Sequence, residues 1–173
     1  MTPKVEFHFD FGSPNAYFSH KVIPAIEQRT GVKFEYVAIL LGGVFKLTNN
    51  TPPMVQFKDV KAKSDYMKVE VVRFIKKHGL TKFKFNPHFP VNTVQIMRGA
   101  VAAEMDGHLA KYVDAVLEHM WEDGLKMDDA EVIRTALDAN EAFVSFYFGR
   151  EASFVWAVAK EGPIGFARLP LNV

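Results

Sequence analysis

The stretch Val5–Tyr17, VEFHFDFGSPNAY, constrains the fold more than any other. Val5, Phe7, Phe9 and Phe11 alternate with Glu6, His8 and Asp10, the two-residue period of a strand with one apolar face. Gly12 breaks the alternation, Ser13 stands where a helix N-cap belongs, and Pro14 takes the first helical position. The first amides of a helix have no partners within it and carry partial positive charge. A hydroxyl beside them suits an anion such as a thiolate or a carboxylate. The same hydroxyl can simply cap the helix, and spacing alone does not separate the two roles.

Phe18, Val22 and Ile26 recur at four-residue spacing, which predicts a helix from Pro14 to about Arg29, bent at Pro24 and stopped by Gly31. Val32–Ile39 alternates again and reads as a second strand. Strand, crossover helix and strand make a parallel unit. Leu40–Pro53, LLGGVFKLTNNTPP, reads as a loop from its Gly42-Gly43, Asn49-Asn50 and Pro52-Pro53 pairs. Lys46, Asn49 and Asn50 are its polar candidates for binding. The plainer alternative puts the asparagines in turns and the lysine in solvent.

The middle of the chain is helical. Lys58–Lys77 carries an amphipathic face of Tyr66, Val69, Val72 and Ile75, ended by Gly79. Thr81–Val91 is irregular, with Pro87 and Pro90 forbidding long elements. Val94–Met105 and Leu109–Glu122 are helices by periodicity, and Asp128 is the expected cap of a last short one. The order suggests one α/β domain over residues 1–173, with an all-helical insertion at about 55–125. Phe143–Phe148 and Ser153–Ala159 fit a hairpin; a single aromatic helix fits as well, because short apolar runs do not distinguish the two.

Composition removes several classes. The absence of cysteine excludes disulfides, cysteine-based zinc and iron–sulfur sites, and a thiol nucleophile supplied by the chain, but not a thiol supplied by a ligand. The six histidines do not cluster at metal-ligand spacing, so no metal site is expected. A net charge of +1 carries no signature for nucleic acid or an acidic membrane surface. No apolar run approaches the ~20 residues of a membrane span. The opening residues lack a leader pattern, so a soluble cytoplasmic protein is the expectation.

Three pieces together resemble a known family: F-D-x-x-S-P-x-x-Y in the first motif, G-G-V-F-K with N-x-P-P in the loop, and KAKSDYM followed by VVRF. The chain is similar, from about residue 4 to about residue 142, to 2-hydroxychromene-2-carboxylate isomerases. These belong to the DsbA-like branch of the thioredoxin superfamily, close to the kappa-class glutathione transferases. The resemblance implies a thioredoxin-like sheet, glutathione as cofactor, cis–trans isomerisation of a small aromatic hydroxy acid by reversible thiolate addition, and a homodimer. It implies that Ser13 contacts the glutathione sulfur as the catalytic residue. Asn50 and Lys63 match positions associated with glutathione or substrate binding. Lys46, Asn49, Tyr66 and Arg73 lie in matching stretches and are candidates for the substrate. Isomerisation and kappa-like conjugation share these motifs, and a non-catalytic relative that has lost glutathione is a third reading. The tail, residues 143–173, departs from the family pattern and lacks a G-x-P-T-F-type stretch, so the C-terminal part of the sheet is expected to be atypical or incomplete.

Overall fold

The computed structural model describes residues 4–137, 139, 142–148 and 152–169. The chain divides into two compact units, residues 1–84 and 85–173. The division falls inside the stretch expected to be one helical insertion.

In the first unit, β1 (Val5–Phe9) and β2 (Phe34–Ala38) pair in parallel, in register from Val5 opposite Phe34 to Phe9 opposite Ala38. The alternation of the sequence survives: Val5, Phe7 and Phe9 turn inward while Glu6 and His8 are exposed and bond each other at 2.9 Å. Helix α1 (Pro14–Thr30) makes the crossover and ends at Gly31, whose φ of 72° is the left-handed conformation that glycine adopts without strain. Aromatic rings bind the layers together. Tyr36 meets Phe7 at 5.0 Å and Phe9 at 5.8 Å, and its hydroxyl bonds His20 Nδ1 on α1 at 2.8 Å. Phe18 meets Phe83 at 4.6 Å and Phe74 at 5.3 Å.

Two sequence expectations change here. The segment read as a loop contains a seven-residue helix, α2 (Leu41–Leu47), followed by α3 (Pro53–Gln56). Leu41, Val44 and Phe45 supply a helical spacing that outweighs the two glycines. Helix α4 runs Lys61–His78, not from Lys58, and of its expected apolar face only Ile75 turns inward. Tyr66, Val69 and Val72 are exposed; Val71, Phe74 and Ile75 are the half-buried apolar residues. Apolar residues occur on both sides of this helix, and the Phe18–Phe74 contact decides which side turns inward.

The second unit contains α5 (Val94–Met105), α6 (Leu109–Glu118), a π-helical turn (His119–Asp123) and α7 (Ala130–Ala136). Ile96, Val113, Leu117, Met120 and Trp121 are fully buried, at the positions that helical spacing predicts. Asn86 is 1% exposed and satisfies what the π turn leaves open. Its Nδ2 donates to the Met120 and Leu125 carbonyls, at 2.8 and 2.9 Å, and its Oδ1 accepts from the His88 amide at 2.8 Å. The cap of α7 is Asp129, not Asp128. Asp128 instead accepts bonds from Lys126 and the Asn92 amide.

The tail is a sheet. Strands β3 (Ala142–Phe148) and β4 (Ser153–Ala159) form the hairpin rather than an aromatic helix, and β5 (Gly165–Leu169) adds antiparallel to β4. These three strands pair with one another in the order β3-β4-β5, and β1-β2 is a separate sheet. The atypical C-terminal sheet thus takes the form of an independent meander.

Candidate functional site

Ser13 holds the N-cap of α1 in extended conformation (φ −97°, ψ 116°). Its Oγ accepts from the Ala16 amide at 3.3 Å, and its own amide donates to the Asp10 carbonyl at 3.0 Å. Pro14 has no N–H, and helix geometry gives the Asn15 amide no carbonyl within the helix. Ser13 is half-buried, and its hydroxyl proton has no acceptor among the described residues. A donor hydroxyl and the positive end of a 17-residue helix therefore meet at one point.

Asp10 organises what lies around Ser13. It is 4% exposed, and each oxygen accepts one backbone amide: Oδ1 from Gly12 and Oδ2 from Leu41, both at 2.8 Å. The Phe9 carbonyl accepts from Ile39 at 3.0 Å, so the ends of β1 and β2 enter the site together.

The α2 segment carries three candidates. Lys46 is exposed on the last turn of the helix. Asn49 is left-handed at φ 52° and closes the helix end, the turn role that its residue type suits. The Asn50 amide donates to the Phe45 carbonyl at 2.9 Å, and its Oδ1 accepts from Thr51 at 2.8 Å. Its exposed Nδ2 has no partner among the described residues.

Lys63, Tyr66 and Arg73 share the outer side of α4. Lys63 Nζ lies 3.3 Å from the centre of the Phe57 ring, a cation–π contact. Tyr66 is 61% exposed, and Arg73, about two turns further along, pairs with Glu70 at 3.5 Å. Asp10 thus brings the Ser13 turn to the start of α2; no described bond ties Ser13 to the α4 residues.

The donors around Ser13 fit a thiolate: a hydroxyl proton and a helix N-terminus, with no acid bonded to the serine side chain among the described residues. No group of three or more histidine, aspartate or glutamate side chains that could hold a metal occurs among the described residues. No described helix is long and apolar enough to cross a membrane. Sequence reasoning missed the Leu41 amide as part of the site, because a backbone donor 31 residues from its acceptor leaves no mark in local spacing.

Residues 4–144 match the family described as DSBA-like thioredoxin domain. The 2-hydroxychromene-2-carboxylate isomerase of Pseudomonas putida is 29% identical over 126 residues, 72% of this chain and 59% of the relative. The protein of the same name from Pseudomonas sp. (strain C18) is 28% identical over 72% of this chain and 56% of the relative. Glutathione S-transferase kappa 1 of Caenorhabditis elegans is 38% identical over 52 residues, 30% of this chain and 23% of the relative. A solved structure of 2-hydroxychromene-2-carboxylate isomerase superposes with a TM-score of 0.62 at 27% identity, covering 78% of this chain and 64% of its own. The chain spans less than two thirds of the length of these relatives.

Proposed function

This chain belongs to the family of DsbA-like thioredoxin domains, and on that footing we propose that it is a glutathione-dependent cis–trans isomerase of 2-hydroxychromene-2-carboxylate or a related aromatic hydroxy acid. The observation that carries this reading is the half-buried Ser13 hydroxyl at the N-terminus of α1, in a chain with no thiol of its own. Two relatives bearing the isomerase name support it. When bound, glutathione would supply a thiolate for reversible addition to the substrate's conjugated double bond, the chemistry that permits cis–trans isomerisation.

Ser13 donates its hydroxyl proton to the sulfur, and the field of α1 favours the anion. A free thiol titrates above neutrality, so both effects raise the thiolate fraction at pH 7. Asn50 offers its open Nδ2 to a carboxylate or peptide group of glutathione, and Lys63 its ammonium. Lys46, Lys63 and Arg73 are the cations offered to the substrate or glutathione carboxylates, and Asn49 and Tyr66 are further candidates for the substrate. The same reading expects a cytoplasmic homodimer.

The short kappa 1 match favours a second reading, glutathione conjugation at the same serine. Following 2-hydroxychromene-2-carboxylate by absorbance, with and without glutathione, separates the two. Glutathione-dependent isomerisation that falls at least about a hundredfold in Ser13→Ala, the scale of one lost oxyanion-type donor, supports the proposal. Unchanged turnover in that variant removes Ser13 from the mechanism. No heat of binding at millimolar glutathione removes both enzyme readings and leaves a relative that has lost the cofactor.

A further inference from the structure

We propose that Asp10 is a positioning residue that locks the Ser13 turn to the start of α2, and so sets the reach of Lys46 and Asn50 toward Ser13. The inference rests on the function proposed above only where glutathione is the readout. A carboxylate as buried as this one is costly unless its oxygens are bonded, and here each oxygen holds one amide. One amide belongs to Gly12, immediately before Ser13. The other belongs to Leu41, the first residue of α2.

Helix α2 has no cap of its own, because its N-cap residue is Leu40, whose side chain makes no capping bond. Asp10 supplies the missing acceptor, and the negative charge that a helix N-terminus favours, from another element. The Ser13 turn is fixed to the same residue through the Asp10 carbonyl. A movement of α2 away from the Ser13 turn must therefore break a bond to a buried carboxylate. Lys46 rides on α2, and Asn50 is bonded to the Phe45 carbonyl of the same helix. Both follow wherever Asp10 holds α2.

The experiment uses the full chain and three variants. Asp10→Asn replaces one acceptor oxygen with a donor. Leu41→Pro deletes the amide that Asp10 holds; proline suits the first helical position, and Leu40 at φ −97°, ψ 97° lies outside the α region that a following proline disfavours. Leu41→Ala changes the side chain and keeps the amide. Hydrogen exchange of Val44–Thr48 is compared with that of α4, and glutathione affinity is measured by calorimetry. In Asp10→Asn and Leu41→Pro, exchange in α2 is expected to rise at least about tenfold over Leu41→Ala while α4 is unchanged. The glutathione dissociation constant should rise about tenfold, the scale of one charge-assisted bond. Should Asp10→Asn fail to fold, the Leu41 pair decides the matter alone. Equal α2 exchange in Leu41→Pro and Leu41→Ala overturns the lock. Faster exchange with unchanged glutathione affinity overturns the positioning role. If the parent chain binds no glutathione, the proposed function fails, and the inference then stands or falls on α2 exchange.

Discussion

Ser13 has one role seen in the structure and one proposed for it, and substitution can pull them apart. As a cap it accepts the Ala16 amide; as a donor it faces the proposed sulfur. Ser13→Ala removes both, and about 1 kcal/mol of stability should go with the cap. Ser13→Asp keeps an acceptor at the N-cap and places a negative charge at the positive end of α1. Its melting temperature should therefore match or exceed that of the alanine variant, while its glutathione affinity falls below that of the parent because two anions would meet. An aspartate variant that binds glutathione as well as the parent would falsify the thiolate reading at this position. The cap was legible in the sequence, because capping is decided within four residues. The company Ser13 keeps was not legible: the amides that Asp10 takes, one of them 31 residues away, appear only in the folded chain.

Elements are joined at corners, and two of these carry predictions. Glu27, in the last turn of α1, accepts the Phe34 amide of β2 through Oε1 at 2.8 Å and Lys33 Nζ through Oε2 at 2.6 Å. The bond from Lys33 and then that from Phe34 hold its carboxyl below the usual carboxylate range. A lowered folded-state value means that this contribution is present above the unfolded carboxylate pKa and is lost as pH falls through the folded one. Urea denaturation between about pH 6 and about pH 3 should show stability declining with acid, and less steeply in Glu27→Gln. Equal slopes would show that Glu27 does not hold this corner in solution. In the second unit, Asn86→Ala leaves the Met120 and Leu125 carbonyls without their side-chain donor. A loss of about 2–3 kcal/mol is expected in chemical denaturation. A loss under about 0.5 kcal/mol would mean that other donors satisfy the π turn.

At the scale of the whole molecule, two sheets coexist where the family resemblance led to the expectation of one sheet with an atypical end. The β3-β4-β5 meander pairs within itself, and β1 and β2 pair with each other. The proposed homodimer belongs to this scale as well. Sedimentation at two concentrations should give about twice the 19.6 kDa of the chain. A single-chain mass at both concentrations removes the dimer from the proposal without touching Ser13.

Local order was written in the residues themselves. The β1-α1-β2 sequence, the Ser13 cap, the Gly31 and Gly79 stops and the span of α5 all follow from periods of two and 3.6 residues and from end groups within one turn. Distant partners decided the rest: which side of α4 faces Phe18, that α2 is a helix begun under the Asp10 carboxylate, that Asp128 serves Asn92 while Asp129 caps, and that the tail is a meander. A side chain's period says that one face is buried, but the choice between two apolar faces, or between two acceptors one residue apart, depends on groups that only the folded chain brings within bonding distance.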